Sequence, residues 1–478
     1  MAFTLLLRIL TSNHRRHSRR LPPGPLPFPI IGHLPLIGPL PHRSLHRLSA
    51  SYGPVLRLLL GSSPLIVVNS PSAARDVFKT HDLAFSDRPR SYASLRYAYG
   101  SPGFAFGPYG PYWRFMKRLC VSELLGAQTL DALRPIRQEE RLRLVALLRD
   151  ARETFNVSEE LLKASNNGII RMVTGMGDGG GVDEVRALVK GVAETVGTLN
   201  LSDFVWVLRG VDVRGVKRRI DEVHRRFDEV LERIIGRKEE ERRRRGGGGG
   251  LGRAKDLLDI LLEVAGDEKA EFKLTRENIK GFVLDIFTAG SDTTAAVLEW
   301  ALSELINNPT IQHKAQQELD SVVGKHRLVE ESDVPNLPYL QSIVKETLRL
   351  HPAAPISHRI ATRDAKILDY DVPADTIVFI NMWSLHRPER FEDRAAEEMQ
   401  KNLLHYAPFG GGRRGCPGEL LGLDVLHMTL GLLVQCFEWE VVGGRVDMEE
   451  GVGLTLPREN PLVCLPRVRL NPFPYIHG

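Results

Sequence analysis

Cysteine is scarce in this sequence, and its few cysteines share no pattern. The 478 residues include four cysteines, none of them at the CxxC or Cys/His spacing that is typical of a structural zinc site. Four cysteines in so long a chain also exclude a disulfide-stapled scaffold. We therefore expect reduced thiols that face the cytosol, and we interpret Cys120, Cys436 and Cys464 as core residues.

Common nucleotide and metalloprotease motifs are missing as well. The sequence contains no GxxxxGKS/T phosphate loop and no HExxH pair. Residues 175–180 do read GxGxxG, but a dinucleotide site requires this motif directly after a strand. Because the preceding pattern is helical, we favour a glycine-rich loop, with a nucleotide site as the alternative.

Lysine and acidic residues are absent from the first 75 residues, which contain nine arginines. The formal charge of the whole chain is +5, so the remainder is slightly acidic. A basic arm on an acidic body favours an anionic membrane surface over nucleic acid, which would need a basic face on the body itself. A second charged run at 239–250 predicts a solvated helix end and a flexible loop, with a nucleic-acid patch as the alternative.

No apolar run near the start is long enough to cross a bilayer. Residues 1–10 are apolar except for Thr4 and Arg8, whereas a spanning helix needs roughly 20 apolar residues. The prolines that follow hold the backbone extended. We expect a short basic and apolar membrane-associating segment over 1–20, a proline-rich hinge over 21–42 and a single large domain over 43–478.

Helical periodicity dominates the large domain. It predicts helices within 128–172, 183–240, 275–308, 309–323 and 338–350. Strand-like runs are short and few, at 55–60, 65–68, 376–380 and 462–465. The predicted fold class is therefore mainly α with a small β component.

A glycine-rich loop gives the fourth cysteine a distinctive setting. The sequence PFGGGRRGCPG covers 408–418 and leads into an apolar helix that begins near Glu419. Amide N–H groups and the helix dipole stabilise a thiolate at such a position, which suits a metal-binding sulfur at Cys416. A buried structural cysteine is the alternative, but it explains neither the glycines nor Arg414.

This loop resembles the haem-binding loop of the cytochrome P450 superfamily, F-x-x-G-x-R-x-C-x-G. The five fixed positions are filled by Phe409, Gly412, Arg414, Cys416 and Gly418. The resemblance implies the cytochrome P450 fold, a single large haem domain, and Cys416 as the axial thiolate ligand of the iron of heme b.

The stretch AGSDT, residues 289–293, places residues that compete with helical hydrogen bonding inside a long predicted helix. Such a conflict suggests a functional site, although a polar cluster that bends a packed helix is the alternative. The stretch is similar to the family motif A-G-x-D-T. This similarity implies that Gly290 opens a groove for dioxygen, that Thr293 hydrogen-bonds there and that Asp292 helps to relay protons.

Two further motifs follow in the family's order. Glu346 and Arg349 match E-x-x-R, and residues 388–391 match P-E-R-F. Taken alone, the first pair could be a solvated ion pair one helical turn apart. The resemblance implies instead a buried structural network of Glu346, Arg349 and Arg390 behind the haem, which needs all three members.

Three more positions resemble contacts to the haem propionates. They are Trp113, Lys117 and Arg359. Each is a weak signal alone, because basic residues are usually solvated. The expected contact with the propionates therefore rests on the resemblance, whose motifs follow one another in the family's order.

Longer stretches resemble plant microsomal members, most closely family 93, which oxidises flavonoids and isoflavonoids. Among them are GPYGPYWRFMKRLC and LTRENIKGFVLDIFTAGSDTTA. The similarity implies apolar substrate contacts at Phe104, Leu201, Phe204, Leu284, Ala289, Ala354, Ile356, Leu454 and Leu456. An apolar residue at any of these positions could instead be part of the core.

The resemblance implies a monooxygenase that hydroxylates a flavonoid-like substrate with O2 and with electrons from NADPH through a separate NADPH-cytochrome P450 reductase. It leaves open flavanone 2-hydroxylation or flavone formation against pterocarpan 6a-hydroxylation. The implied location is the cytosolic face of the endoplasmic reticulum membrane. Positive charge for an acidic reductase would come from Lys117, Arg118, Arg413 and Arg414.

One segment departs from the family pattern. Between His386 and Arg387 the family carries additional residues that include R-D-P and a Trp, whereas here Trp383 and Pro388 are five residues apart. The alternative hypothesis is therefore a non-catalytic or haem-deficient relic of the family.

Overall fold

The structure is a computed structural model that describes residues 19–100, 103–177, 181–198, 200–244, 255–387 and 406–474. The segment up to residue 18 and Arg390 of the P-E-R-F motif lie outside the described residues. The described residues form two compact units, each assembled from several chain segments. Each unit is considered by itself below.

The helices, in chain order, are α1 (Leu34–Ile37), α2 (Pro41–Tyr52), α3 (Pro71–Arg75), α4 (Tyr92–Tyr97), α5 (Pro111–Leu119), α6 (Ala127–Ala132), α7 (Arg134–Asp150), α8 (Val157–Thr174), α9 (Val182–Gly197), α10 (Leu201–Phe204), α11 (Val216–Arg244), α12 (Leu257–Gly266), α13 (Arg276–Asn307), α14 (Pro309–Val322), α15 (Pro338–Leu350), α16 (Met382–Leu385) and α17 (Glu419–Cys436). The strands are β1 (Val55–Leu60), β2 (Ser63–Val68), β3 (Phe155–Asn156), β4 (Ile356–Ile360), β5 (Ala365–Ile367), β6 (Tyr370–Val372), β7 (Ile377–Asn381), β8 (Phe437–Glu440) and β9 (Val463–Val468).

Unit 1 comprises Met1–Pro89, Phe204–Trp206 and Ile356–Gly415, and it contains a four-stranded sheet in the order β1-β2-β7-β4. β2 pairs antiparallel with β1 and parallel with β7, and β4 pairs antiparallel with β7. Both faces are buried, because side chains alternate along β2 between one core and the other. A hairpin of β5 and β6 belongs to the same unit.

Unit 2 comprises Arg90–Asp203, Val207–Pro355 and Cys416–Gly478. It is mostly helical, with a small sheet in the order β3-β9-β8. Its long helix α13 packs against α8, α17 and α15. A large apolar core surrounds the first half of α13 and includes Phe282, Leu284 and Phe287.

Local sequence explains where α13 begins and ends. Thr275 Oγ1 accepts a hydrogen bond from Asn278 N–H, and Asn278 Oδ1 accepts one from Thr275 N–H, so the first turn is capped from both sides. The helix ends before Pro309, which disfavours a helical residue in front of it. Its 32 residues span about 48 Å.

The mainly α fold with a small β component is confirmed, and strands lie at all four predicted places. Two long predicted helices are broken. The helix predicted within 128–172 forms three helices, α6, α7 and α8, with interruptions at Leu133 and at β3. The helix predicted within 183–240 is divided between α9 and α11. Gly215, with a φ of +69°, lies in the second break, and a left-handed backbone cannot continue a helix.

The GxGxxG stretch follows α8, so a helix and not a strand precedes it. Gly175 ends that helix with a left-handed φ of 65°, as C-terminal glycines commonly do. Residues 178–180 lie outside the described residues. The loop interpretation fits this arrangement, because a dinucleotide site would need a strand before the motif.

Within the part of the chain that the structure describes, α17 is the one helix long and apolar enough to cross a membrane. Of this helix 61% is buried inside the protein, which fits a core helix. The predicted segment boundaries at residues 20 and 42 stay predictions.

Candidate functional site

The glycine-rich loop is held against a turn of unit 1 that contains Asp82. The Arg413 N–H donates to both Asp82 carboxylate oxygens, at 3.3 and 3.2 Å, and Arg413 Nη1 lies 2.5 Å from Oδ2. Gly412 has a φ of +68°, and a Cβ there would lie 2.6 Å from the Phe78 carbonyl oxygen. Glycine is required for this approach. Phe409 lies half-buried near the start of the loop.

Three arginine side chains gather on β4 and its neighbours in unit 1. Arg88 Nη1 and Arg359 Nη1 both donate to the His358 carbonyl oxygen, at 2.6 and 2.9 Å. Arg414 Nε donates to the Ser86 carbonyl oxygen at 2.5 Å. Arg359 is 2% exposed and Arg414 7%. Sequence motifs pointed to Arg359 and Arg414 but not to Arg88.

In this arginine cluster, Arg88, Arg359 and Arg414, the positive charges lie close enough together to lower the pKa of Arg359. Desolvation lowers the pKa of Arg359 well below its ordinary value, and the charges of Arg88 and Arg414 lower it further, with Asp82 opposing. Desolvation also lowers the pKa of Arg88 to about 10. Among the described residues, no recorded ion pair gives Arg88 or Arg359 a carboxylate partner. The cluster therefore suits an anionic group such as the carboxylates of a haem.

The burial of Arg414 corrects one expectation. A side chain that is 7% exposed cannot present its charge to a docking reductase. Arg413 is 46% exposed but is paired with Asp82, and Arg118 is 63% exposed and paired with Glu271. The predicted docking charges are thus partly buried or already paired within the chain.

Cys416 is the first residue of the last segment of unit 2, and it precedes α17. It is exposed, whereas the other three cysteines are buried, as predicted for core residues. Desolvation by the surrounding protein raises the pKa of the Cys416 thiol, while a hydrogen bond from the Gly418 N–H and the charge of Lys117 oppose that shift. An accessible sulfur beside an amide N–H and a cation has the donor chemistry of a metal ligand.

Trp113 does not offer its indole N–H in the way that was expected. Its Nε1 donates to the Phe104 carbonyl oxygen at 2.9 Å, and the two rings stack with centroids 5.9 Å apart. Trp113 is 5% exposed. In this structure Trp113 therefore holds a loop of unit 2, and a propionate contact would require the bond to Phe104 to be exchanged.

The AGSDT stretch has a distinctive pattern of hydroxyl bonds in α13. Ser291 Oγ, Thr293 Oγ1 and Thr294 Oγ1 each donate to the carbonyl oxygen four residues earlier, at 2.8, 2.9 and 3.5 Å. Such bonds compete with the helical ladder and bend a helix. Ser291 is fully buried, whereas Ala289 and Thr293 share a more open face. Desolvation raises the pKa of Asp292 to about 6.

Gly290 lies where α8 and α13 meet. A Cβ at this position would lie 2.7 Å from Ile169 Cδ1 on α8. The glycine therefore allows the two helices to approach closely. The groove for dioxygen expected at Gly290 stays a prediction.

A half-buried carboxylate one turn before Ala289 was not predicted. Asp285 Oδ2 accepts hydrogen bonds from the Phe104 and Ala105 N–H groups, at 3.3 and 3.0 Å. Desolvation raises the pKa of Asp285 to about 6, although both hydrogen bonds lower it. The signal in the sequence was an acidic residue inside the apolar run that precedes AGSDT.

Glu346 and Arg349 form an ion pair on α15, but the pair is not buried as expected. Arg349 Nε lies 2.8 Å from Glu346 Oε2, and the side chains are 22% and 55% exposed, respectively. Half of the Glu346 side chain therefore faces solvent, and water stabilises its charge. The third expected member, Arg390, lies outside the described residues.

The predicted substrate contacts divide by exposure. Ala289, Ala354 and Leu454 are exposed, and Leu201, Phe204 and Ile356 are half-buried. Leu284 is 3% and Leu456 1% exposed, so almost no surface remains at which a substrate could touch them. We correct these two to core residues, and Phe104, at 9%, contributes mainly through its packing on Trp113.

In each unit, the residues present fit the haem that the motifs imply. Unit 1 holds an arginine cluster whose charge suits an anion, and unit 2 holds an accessible thiol beside an amide N–H. Comparison with known proteins agrees, since the Cytochrome P450 family model matches residues 22–465.

The chain belongs to the cytochrome P450 family. It is 46% identical to Cytochrome P450 93A3 from Glycine max, over 98% of this chain and 96% of that protein. It is 44% identical to a 3,9-dihydroxypterocarpan 6A-monooxygenase from Glycine max, over 100% of both. A zebra fish cytochrome P450 solved with progesterone superposes with a TM-score of 0.77 at 27% identity, covering 89% of this chain and 99% of that chain.

The predicted superfamily and family 93 resemblance are thereby confirmed. This cytochrome P450 is a monooxygenase with haem iron as cofactor and with NADPH as the source of electrons through a reductase. The alignment with the pterocarpan monooxygenase runs over 510 positions, more than the 478 residues of this chain. That relative therefore carries residues that this chain lacks.

Proposed function

We propose that this cytochrome P450 hydroxylates a flavonoid- or isoflavonoid-type molecule, with a pterocarpan as the first candidate substrate. The observation that supports it best is the accessible Cys416 three residues before the start of α17, in a chain that is 44% identical over its full length to a pterocarpan monooxygenase. In the overall reaction, O2, two electrons and two protons convert a C–H bond into C–OH and release water.

The haem, when bound, supplies the redox chemistry of this reaction. Cys416 would bind its iron through Sγ, and Gly418 N–H and Lys117 would favour the thiolate. The arginine cluster of unit 1 would bind its carboxylates. Loss of the haem would take these carboxylates away and leave buried positive charge uncompensated, so haem binding and the stability of unit 1 should be coupled.

Proton supply is assigned to two neighbours in α13. Thr293 holds a proton at Oγ1, which donates to the Ala289 carbonyl oxygen at 2.9 Å and lies on the more open face of the helix. Asp292, with a pKa of about 6, can exchange a proton near neutral pH, where a relay group is most effective. Gly290 keeps this part of α13 close to α8.

The substrate contacts that remain after correction are apolar. Ala289, Ala354 and Leu454 offer small or aliphatic exposed surface, and Leu201, Phe204 and Ile356 offer part of theirs. Such residues favour a flat, largely apolar substrate over a charged one. This composition does not separate a flavanone from a pterocarpan, so the experiment below includes both.

We also propose that the protein acts at the cytosolic face of the endoplasmic reticulum membrane. The proline-rich hinge carries four apolar side chains that are at least 40% exposed, Leu26, Phe28, Ile30 and Ile31. Exposed apolar side chains in one short segment favour contact with a lipid surface.

The test is turnover by the purified haem-loaded protein with a plant reductase and NADPH. A pterocarpan and a flavanone are offered separately, and products are identified by mass spectrometry and by the position of the new hydroxyl. A pterocarpan that gains one oxygen supports the first candidate, and a flavanone oxidised at C2 selects the alternative. Failure to oxidise either, with haem fully bound, would overturn the proposed substrate class.

A further inference from the structure

Two of the segments assigned to substrate contact are tied to each other in unit 2. The Leu456 N–H donates to the Ala353 carbonyl oxygen at 3.0 Å. This bond joins the loop that follows α15, which contains Ala354, to the C-terminal loop that contains Leu454. Because both Ala354 and Leu454 are exposed, the bond connects two apolar surfaces that are far apart in sequence.

The same pair of loops is anchored on Trp300 of α13. Trp300 Nε1 donates to the Leu456 carbonyl oxygen at 2.8 Å, so Leu456 is held through its N–H and its carbonyl together. Trp300 is fully buried and Leu456 is 1% exposed. Loss of either bond would therefore leave a buried polar group unsatisfied.

The indole ring of Trp300 is itself clamped. The His351 ring stacks on it with centroids 4.1 Å apart and an interplanar angle of 4°, and His351 Nε2 lies 2.8 Å from Glu304 Oε1. Arg458 lies over the indole ring at 6.0 Å and 3.7 Å from Glu299. Glu299 and Glu304 are both on α13, so the same helix that carries Trp300 also holds Arg458 and His351, the two residues that contact its ring.

Trp300 is seven residues after Thr293 on this helix, a rise of about 10.5 Å. A rigid helix therefore sets the distance between the residue assigned to proton supply and the anchor of the two loops. Gly197, at the end of α9, meets the same region, since a Cβ there would lie 3.0 Å from the Leu454 N atom.

We propose that Trp300 is a positioning residue that holds the loops of Ala354 and Leu454 in a fixed position on α13. It thereby determines which carbon of the substrate is hydroxylated. The proposal rests on the proposed function only in assigning Ala354 and Leu454 to substrate contact. Trp300 does not touch substrate, because it is fully buried. It acts through the Leu456 carbonyl and the Ala353 bond.

The primary test is Trp300→Phe, which removes the N–H donor and keeps a ring for His351 to stack on. Trp439→Phe is the matched control, because Trp439 Nε1 has no hydrogen-bond partner among the described residues. We expect Trp300→Phe to keep the thiolate carbon-monoxide band, to raise KM about five- to tenfold, as loss of one buried hydrogen bond would, and to change the ratio of hydroxylated products. The control should leave KM and the product ratio unchanged.

A second readout needs no substrate. Hydrogen exchange of the haem-loaded Trp300→Phe variant should become faster in residues 351–356 and 452–457 together. Faster exchange in 452–457 alone would contradict the coupling. If the wild type oxidises neither flavonoid, the proposed function fails, while the exchange result still decides whether Trp300 joins the loops.

A lower melting temperature with unchanged KM, product ratio and loop exchange would give Trp300 a purely structural role and overturn the proposal. Should Trp300→Phe not bind haem, Trp300→Leu provides the same measurements, since it also removes the N–H donor to the Leu456 carbonyl oxygen. Unchanged KM, product ratio and loop exchange in Trp300→Leu would then overturn it.

Discussion

Two adjacent threonines in α13, Thr293 and Thr294, differ in exposure, and this difference assigns proton supply to one and packing to the other. Thr293 and Thr294 both donate to the carbonyl oxygen four residues earlier. Thr294 is 8% exposed and packs inside unit 2, whereas Thr293 lies on the more open face. A residue that supplies protons must be reachable, so the two positions form a matched pair.

Thr293→Ala should keep haem and substrate binding but lose coupling between NADPH use and product formation. Without the hydroxyl at this position, we expect most of the NADPH to yield hydrogen peroxide, measured beside product in the same assay. Thr294→Ala should stay coupled and lose only stability. Fully coupled turnover in Thr293→Ala would assign proton supply to another group.

Asp285 gives a prediction for the pH dependence of stability. Its pKa is about 6 in the folded protein against an ordinary value of 3.8, so the folded state binds the proton more tightly than the unfolded state. The contribution of this group to the free energy of unfolding therefore falls as pH rises from about 4 to about 6, and then stays level.

Asp285→Asn should flatten that part of the stability curve, measured by denaturant unfolding at a series of pH values. Asp369→Asn, which changes a carboxyl that is 81% exposed, should leave the slope as in the wild type. An unchanged slope in Asp285→Asn would mean that other carboxyl groups determine how stability depends on pH between about pH 4 and about pH 6.

Some site residues were accessible to sequence reasoning and others were not. Cys416, Arg414 and Thr293 lie in short contiguous motifs whose spacing indicates their chemistry. Arg88 and Asp82 do not, because each acquires its role from partners on distant segments; Asp82 and Arg413, for example, are 331 residues apart. No periodicity in a single chain indicates such a pairing.

The conformation of the loop before Cys416 depends on the turn of unit 1 that contains Asp82. The carboxylate of Asp82 binds the backbone and the side chain of Arg413 and is 12% exposed. It also lies where a Cβ on Gly412 would collide with it, at 2.6 Å. The loop is therefore shaped by a turn that is remote in sequence.

Asp82→Asn should loosen this loop, because the amide cannot replace a charged acceptor for both Arg413 groups. We expect a loss of about 1 to 3 kcal/mol in stability and weaker haem retention during gel filtration. Asp364→Asn, which breaks an exposed pair with Arg19 in the same unit, is the control and should change neither. Equal haem retention in both variants would contradict the role given to Asp82.

Element types were predictable where the pattern was strong. The capping residues and Pro309 delimit α13, and the strands β1, β2, β7 and β9 follow their apolar runs. The breaks between α6, α7 and α8 were missed because Leu133 continues an apolar pattern, and the short strand β3 exists only through its pairing with β9. Tertiary pairing, which no local pattern contains, decides such cases.

At the scale of the whole molecule, the shortened connection after β7 is the main departure from the family. His386 Nε2 accepts a hydrogen bond from the Ala407 N–H at 3.1 Å, so the chain returns to its starting point in unit 1. The strand β7 keeps its pairing with β2 and β4. The short connection therefore leaves the pairing of β7 intact, and its effect on the position of Arg390 stays a prediction.

Insertion of a family-like segment between His386 and Arg387 should raise haem content and melting temperature together. From Trp383 to Pro388 the reach is at most about 18 Å, and a longer connection would allow Arg390 to join the pair of Glu346 and Arg349. Because half of the Glu346 side chain faces solvent, we expect a gain of at most about 1 kcal/mol in stability from that ion pair. Haem content is measured by the ratio of Soret to protein absorbance. A glycine-serine insert of equal length is the control, and equal haem content in all three proteins would show that the short connection is tolerated.

The central claim is that this chain is a haem-thiolate monooxygenase with Cys416 as the ligand to iron. The most direct measurement is the carbon-monoxide difference spectrum of the reduced protein, recorded for the wild type, Cys416→Ala and Cys436→Ala. We predict the red-shifted band of thiolate ligation in the wild type and in Cys436→Ala, and its complete loss in Cys416→Ala. A thiolate band in Cys416→Ala, or its absence from haem-loaded wild type, would contradict the account.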